Sequence, residues 1–180
     1  MKVIDQTLLE KVIVERSRHS HKGDYGRLLF LGGTYPYGGA IIMSAIAAVK
    51  SGAGLVTVGT DKENISALHS HLPEAMAFSL KDKALLKEQF EKAEVVLLGP
   101  GLREDAFGEE LVKQVFDSLR EDQILIADGG ALGILAKGQL LFPSSQLILT
   151  PHQREWERLS GIVLDHQNTE TTARALSAFP

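Results

Sequence analysis

The sequence predicts an α/β fold: a doubly wound, mostly parallel sheet with helices on both faces, in one domain spanning residues 1–180. Short, fully apolar runs alternate with longer segments of helical periodicity, and glycines follow most of the apolar runs. Strands of a parallel sheet need continuous apolar runs because helices cover both of their faces. No internal repeat, low-complexity tract or linker divides the chain.

The predicted elements follow from these patterns. The apolar runs predict strands at residues 28–31, 55–58, 95–98, 124–127 and 147–149. Helical periodicity predicts helices at residues 40–50, 83–94 and 109–119, the first ending before a glycine cap at Gly52. Near the N-terminus, Asp5 is placed to cap a helix whose inward stripe is Leu8, Leu9, Val12 and Ile13.

Composition excludes several classes of protein. Apolar residues make up 44% of the chain and charged residues 23%, as in ordinary globular proteins. The net charge of −4 argues against a nucleic-acid surface, and the absence of cysteine excludes disulfides and thiolate catalysis. Asp5, Glu10 and Lys11 interrupt any signal peptide in residues 1–14, and no apolar run is long enough to span a membrane. A cytoplasmic protein is expected.

The carboxyl ends of the strands are the expected ligand edge. Residues 32–40 read Gly-Gly-Thr-Tyr-Pro-Tyr-Gly-Gly-Ala and lead into the helix that begins near Ala40. Glycines allow a ligand to approach the backbone, and a helix start offers free N–H groups to an anion. The segment is neither a Walker loop nor a G-x-G-x-x-G fingerprint, yet a ligand loop is favoured over a plain turn.

Three further strand ends carry candidate residues. The Gly99-Pro100-Gly101-Leu102 segment suits a tight turn as well as a ligand contact. Asp128 is able to hold Mg²⁺ or a hydroxyl, but capping of the helix near Ala131 is slightly favoured. His152 is able to donate to a phosphate, although a lone histidine is more often structural.

Other candidate residues give weaker evidence for a functional site. The pairs His19 with His21 and His69 with His71 have no evident third ligand, so no metal site is predicted. Trp156 lies at helical spacing from Leu159 and is expected in the core.

Several blocks together carry a family resemblance. They are Lys-Gly-Asp-Tyr-Gly-Arg at 22–27, Leu-Gly-Gly at 31–33, Tyr-Gly-Gly-Ala at 37–40, Lys-Ser-Gly-Ala-Gly-Leu-Val-Thr-Val at 50–58, Gly-Pro-Gly-Leu at 99–102, Asp128, and Leu-Thr-Pro-His at 149–152. In this order the blocks resemble the ADP/ATP-dependent NAD(P)H-hydrate dehydratases. The resemblance covers about residues 4–161.

The resemblance implies a ribokinase-like fold and repair of hydrated NADH or NADPH. ADP or ATP, with Mg²⁺, phosphorylates the C6 hydroxyl of the hydrated nicotinamide ring, and loss of phosphate restores the cofactor. By position, Ala40, Gly101 and His152 correspond to residues that contact the hydrated nucleotide. Gly39, Gly99 and Asp128 are added as substrate-binding candidates, and a homo-oligomer is implied.

The sequence also departs from the family pattern. Asp128-Gly129-Gly130 replaces Asp-Ala-Asp, Arg103 replaces a glycine, and Gln153-Arg154 replaces Pro-Gly. The sequence ends at Pro180, before the Lys-Gly and Gly-Thr-Gly-Asp blocks that supply the catalytic Asp. We therefore expect a C-terminally incomplete fold that is inactive alone.

Two alternatives stay open: a non-catalytic nucleotide-binding fragment, and a small-molecule kinase of the ribokinase-like superfamily. The blocks around Ala40 and His152 argue against the kinase, and the missing C-terminal block favours the fragment.

Overall fold

The computed structural model describes residues 5–13, 15–138, 142 and 145–177. The prediction that residues 1–14 form no signal peptide concerns residues that lie partly outside these ranges. The chain end at residues 179–180 lies wholly outside them. The strands are β1 (Arg27–Leu31), β2 (Leu55–Thr60), β3 (Met76–Ser79), β4 (Val95–Leu98), β5 (Ile124–Ala127) and β6 (Gln146–Leu149). The helices are α1 (Gln6–Val12), α2 (Gly38–Lys50), α3 (Lys62–His71), α4 (Lys83–Lys92), α5 (Ala106–Ser118), α6 (Gly130–Leu135), α7 (Gln153–Ser160) and α8 (Thr169–Leu176), with 3₁₀ turns at Lys22–Tyr25 and Leu164–His166.

In the described residues the strands form one six-stranded sheet in the order β3-β2-β1-β4-β5-β6, with every pair parallel. The predicted doubly wound α/β fold is confirmed. The first strand, β1, lies in the middle of the sheet. The next two strands are added outward to β3, and the chain then returns to add β4 on the other side of β1. Ligands of such sheets bind where the order reverses, beyond the carboxyl ends of β1 and β4.

Alternate residues of the central strands face two separate apolar clusters. Leu29, Leu31 and Val96 belong to a larger cluster that includes residues of α4, α5 and α6. Phe30 and Val58 point to the opposite face and pack with residues of α2 and α3. The side-chain period of two in a strand explains this division, and it confirms that both faces of the sheet are covered.

Three elements were not predicted from the sequence, and one prediction about burial was wrong. β3 was missed because Met76–Ser79 is a short edge strand, and α3 and α8 because their sequences are largely polar. Asp5 caps α1 as predicted, accepting from the Leu8 N–H at 2.9 Å. The predicted inward stripe is wrong, however, because Leu8, Leu9, Val12 and Ile13 are 42–73% exposed. This two-turn helix does not bury its apolar side against the sheet.

Two other predictions agree with the structure. Trp156 is 6% exposed and lies in the core. Gly52, with φ +97°, follows α2 and its C-cap Ser51 as a terminating glycine. Among the described residues, no helix is both long enough and apolar enough to cross a membrane. The single domain over residues 1–180 stays a prediction.

Candidate functional site

The segment after β1 is fastened to the segment after β4 by backbone hydrogen bonds. The Gly33 N–H donates to the Pro100 carbonyl at 2.8 Å, and the Thr34 N–H donates to the Gly101 carbonyl at 2.9 Å. The Thr34 hydroxyl accepts from the Arg103 N–H at 2.8 Å. The two strand ends that the sequence placed at the ligand edge therefore form one continuous surface.

Glycine is required where these segments touch. Gly101 has φ +66°, and a Cβ built on it would lie 2.1 Å from the Tyr37 carbonyl oxygen. Gly99 has φ +113°, and its Cβ would lie 2.0 Å from the Asp128 carbonyl oxygen. Any side chain would force the backbones apart, so these glycines bring the ends of β1, β4 and β5 together.

The end of β2 holds the other side of the β1 segment. The Thr60 hydroxyl and the Asn64 amide both donate to the Gly33 carbonyl, the first at 3.0 Å. The Tyr35 N–H donates to the Asp61 carboxylate at 2.7 Å. These residues were not predicted from the sequence, although Thr60 ends β2 and Asp61 follows it on the same edge of the sheet.

Helix α2 begins where the β1 segment ends. The side chain of the N-cap residue Tyr37 makes no capping hydrogen bond to the helix. Gly39 is exposed, and apart from its chain neighbours and the backbone of its own helix no atom of the described residues would lie within 4 Å of a Cβ built on it. The start of α2, with Gly39 and Ala40, thus offers backbone N–H groups beside open space, as an anion site requires.

Asp128 is held by β6 rather than by the following helix. Its Oδ1 accepts from the Thr150 hydroxyl at 2.8 Å. The N-cap of α6 is Gly129, which has no side-chain cap, so the favoured prediction that Asp128 caps this helix is wrong. The carboxylate is instead hydrogen-bonded to Thr150, the residue that follows β6.

His152 has a structural contact and an exposed ring. It is the N-cap of α7, and its Nδ1 accepts from the Glu155 N–H at 3.2 Å while the Glu155 carboxylate accepts from the His152 N–H at 2.9 Å. With Nδ1 accepting, the neutral ring carries its proton on Nε2. The side chain is 67% exposed, so Nε2–H is able to donate to a ligand.

These segments border an open cleft of about 680 Å³. Its lining includes Tyr37, Arg103, Gly129, His152, Arg154 and Arg158. Among the predicted site residues, His152 lines the cleft itself. Gly101 and Asp128 each directly precede a lining residue, and Gly39 and Ala40 follow Tyr37 within three positions. The structure therefore brings the predicted residues to one region, with His152 nearest the open space.

Most of the charged groups in the cleft have partners. Arg158 makes two hydrogen bonds to Glu104, at 2.9 and 2.6 Å, and these hold the pKa of the Glu104 carboxyl below its ordinary value. Arg103 pairs with Asp105 at 3.3 Å. Within the described part of the chain, Arg154 has no ion-pair partner. It is the cation in the cleft that is available to an anionic ligand.

A second cavity differs in character. An apolar groove of about 490 Å³ lies beside β6 and is lined by Leu147, Leu149, Pro151, Trp156 and Leu176 together with polar side chains. Across the described ranges, no group of three or more histidine, aspartate or glutamate side chains is arranged to hold a metal ion.

Comparison with known proteins shows the family of the chain. The family model of the NAD(P)H-hydrate dehydratases matches residues 28–179. The chain belongs to this family. A relative from Streptococcus pneumoniae named ADP-dependent (S)-NAD(P)H-hydrate dehydratase is 78% identical over 180 residues, which is the whole of this chain and 62% of the relative. The chain thus spans less than two thirds of the length of this curated family member.

Solved structures show the same fold. A ribokinase-like superfamily protein from Enterococcus faecalis is 38% identical, with a TM-score of 0.92 over 98% of this chain and 62% of that chain. An ADP/ATP-dependent NAD(P)H-hydrate dehydratase from Bacillus subtilis, co-crystallised with ATP and Mg²⁺, is 26% identical, with a TM-score of 0.72 over 90% of this chain and 57% of that chain. The ribokinase-like fold expected from the resemblance is confirmed.

Proposed function

We propose that this chain forms the hydrated-nucleotide site of an ADP-dependent (S)-NAD(P)H-hydrate dehydratase, an enzyme that repairs hydrated NADH and NADPH. The observation that carries the proposal is the convergence of four strand-end segments on one cleft. The activity for which the 78%-identical relative is named supports the same conclusion. A catalytically silent nucleotide-binding chain is the remaining alternative, and it predicts binding without turnover.

Donors around the cleft match the phosphates and ribose hydroxyls of a dinucleotide. The amides at Gly39 and Ala40, at the positive end of α2, would face a phosphate. The Nε2–H of His152 would donate to a phosphate or ribose oxygen, and Arg154 would supply a cation. Gly99 and Gly101 allow the segments after β1, β4 and β5 to pack closely, which gives the cleft its shape.

The carboxylate of Asp128 suits a hydroxyl group. Thr150 occupies its Oδ1 as a donor and so fixes the orientation of the group. We propose that the other oxygen accepts from a hydroxyl of the hydrated nucleotide, which orients the substrate. We assign it no role as the base of the reaction.

The chemistry proposed for the family is a phosphoryl transfer followed by elimination. A phosphoryl group from ADP or ATP, which is left as AMP or ADP, converts the C6 hydroxyl of the hydrated ring into a better leaving group. Its departure as phosphate, together with loss of a proton from the neighbouring ring carbon, restores the double bond. The residues of this chain bind and orient the hydrated nucleotide. Mg²⁺ is commonly held by phosphate oxygens and water with one or two carboxylates, and we assign no residue of this chain to it.

Recovery of the cofactor tests this proposal. Hydrated NADPH, ADP or ATP, and Mg²⁺ are added to the 180-residue chain and, separately, to a chimera that joins it to the remaining C-terminal part of the Streptococcus pneumoniae relative. Return of the dihydronicotinamide absorbance in the chimera is the expected result. A folded chimera without turnover would overturn the proposal. A chimera that instead phosphorylates sugars or hydroxymethylpyrimidine would support the small-molecule kinase.

Self-association and location are also proposals. The edge strand β6 has no outer partner strand in the described residues, and its Ile148 is 41% exposed. Such an edge favours pairing with a second copy, so we propose a homo-oligomer. Light scattering at micromolar concentration checks it, and a strictly monomeric mass would contradict it. A cytoplasmic location stays a prediction from sequence.

A further inference from the structure

One aspartate at a helix start makes no side-chain capping hydrogen bond to its own helix. Asp5, Asp82 and Asp105 precede α1, α4 and α5, and each accepts a hydrogen bond from an N–H in the first turn of its helix. Asp61 precedes α3 in the same way but caps no N–H of that helix. Its Oδ2 accepts instead from the Tyr35 N–H, in the segment after β1, at 2.7 Å.

Asn64, in the first turn of the same helix, also faces the β1 segment. Its Nδ2 donates to the Gly33 carbonyl and to the Thr60 hydroxyl, the latter at 3.0 Å. The Thr60 hydroxyl in turn donates to the Gly33 carbonyl at 3.0 Å. Asn64 also packs against the first residue of α2, since a Cβ on Gly38 would lie 2.2 Å from its Oδ1. One amide therefore contacts both ends of the turn that leads into α2.

We propose that Asp61 and Asn64 are positioning residues, which hold residues 33–38 so that the first N–H groups of α2 point at a phosphate of the bound dinucleotide. The inference rests on the proposed function, because it assigns the ligand of that same site. Neither residue lines the cleft, so neither is expected to touch the substrate.

The physical reason is preorganisation. A segment with several glycines has many conformations, and ordering it on binding would weaken the affinity. In the free protein these hydrogen bonds already restrict the segment, so that the ligand meets a formed site. Polar groups that ordinarily cap or solvate a helix start have been directed to a neighbouring segment, as a positioning role requires.

Replacement of Asn64 by Asp distinguishes a positioning role from a purely stabilising one. The Asn64→Asp variant keeps the shape of the side chain but places a carboxylate against the Gly33 carbonyl at neutral pH. Dissociation constants for NADPH are measured by calorimetry at about pH 7.5 and about pH 5, each relative to wild type. We expect at least about tenfold weaker binding at the higher pH, because both hydrogen bonds that the Asn64 amide donates, to Gly33 and to Thr60, are lost. Contact with the Gly33 carbonyl disfavours the charged form of the introduced carboxyl and raises its pKa above the ordinary value of about 3.9. At about pH 5 a larger share of it is therefore protonated and donates again, so the difference in affinity from wild type narrows.

A matched control makes the same chemical change elsewhere. Asn168 caps α8 through its Oδ1, which an aspartate also provides, so Asn168→Asp should leave NADPH affinity unchanged at both pH values. If Asn64→Asp is unstable, Asp61 gives a second test. Asp61→Ala should weaken binding, and Asp61→Asn, which retains an acceptor oxygen, should restore most of it.

Each outcome bears on the proposal. Wild-type affinity in the Asn64 and Asp61→Ala variants would overturn the positioning role while leaving the proposed function intact. A loss of affinity that is equal at both pH values and accompanies a lower melting temperature would assign Asn64 to stability alone and overturn the role. Absence of NADPH binding by the folded wild-type chain would overturn the proposed function and this inference together.

Discussion

The cleft has two walls of different construction. One wall consists of residues 33–37 and 99–103, which we call the backbone wall because main-chain hydrogen bonds and glycine contacts set its shape. The other consists of residues 152–158, which we call the side-chain wall because His152, Arg154 and Arg158 present their side chains to the cleft. The first tolerates almost no added atom, whereas the second is exposed and held by surface hydrogen bonds and ion pairs.

The backbone wall sets the shape of the cleft, whereas the side-chain wall supplies its charged and hydrogen-bonding groups. Backbone contacts are short and buried, so a change in the backbone wall should alter the fold as well as the site. Exposed ion pairs contribute little to stability, so a change in the side-chain wall should alter the ligand more than the fold. Substitutions in the two walls should therefore have opposite patterns of effect on stability and affinity.

The largest effect is expected in the backbone wall. Gly99→Ala combines a positive φ with a Cβ only 2.0 Å from the Asp128 carbonyl, so it should lower the free energy of unfolding by about 3 kcal/mol or more. Urea denaturation measures this. Gly138→Ala is the control: it has φ +68° and no described atom within 4 Å of a Cβ, so strain alone should cost about 1 kcal/mol. Equal losses in the two variants would show that the close contact is unimportant.

Gly39 offers the reverse pattern. A methyl group there meets no atom of the described residues, and alanine is a better helix former than glycine, so stability should stay level or rise by up to about 1 kcal/mol. The methyl would occupy space proposed for a phosphate, and NADPH affinity should fall by about tenfold. Calorimetry on the folded variant measures it. Unchanged affinity would place the ligand away from the start of α2.

His152 allows the two roles of one side chain to be separated. His152→Ala removes the α7 cap and the exposed donor, so both stability and NADPH affinity should fall by about 1 kcal/mol. His152→Asn retains a capping oxygen but lacks the distal Nε2–H, so it should regain stability without regaining affinity. Thermal melts and calorimetry on both variants measure this. Restored affinity in His152→Asn would return the histidine to a purely structural role.

The smallest effect concerns Glu104 and pH. The hydrogen bond from Arg158 lowers the pKa of Glu104 in the folded state from its ordinary value of 4.5. The pair therefore stabilises the protein above that pH, and the contribution is lost as pH falls below 4.5 and through the folded-state pKa. Because both side chains are partly exposed, the contribution should be at most about 1 kcal/mol. Urea titrations of wild type and Glu104→Gln should converge at low pH, and a constant difference would contradict the pairing.

Sequence was sufficient for the features that depend on local pattern. The strands β1, β4 and β5 are continuous apolar runs, and the rule for parallel sheets placed their glycine-rich ends at one edge. The same reasoning failed for β3, a short edge strand. Hydrogen-bond partners that depend on the tertiary structure could not be predicted from the sequence either. Asp128 binds Thr150 instead of capping α6, and Asp61 binds Tyr35 instead of capping α3, although both sequences suit a cap equally well.

The central claim is that the nucleotide binds in the cleft between the two walls and not in the apolar groove beside β6. Titration of unhydrated NADPH into the ¹⁵N-labelled chain, followed by amide chemical shifts, tests it most directly. The account predicts shifts at Gly39, Ala40, Gly101, Arg103 and His152, with little change at Thr172 and Leu176, which line the groove. Shifts centred on Thr172 and Leu176, or a folded protein with no shifts at saturating nucleotide, would contradict it.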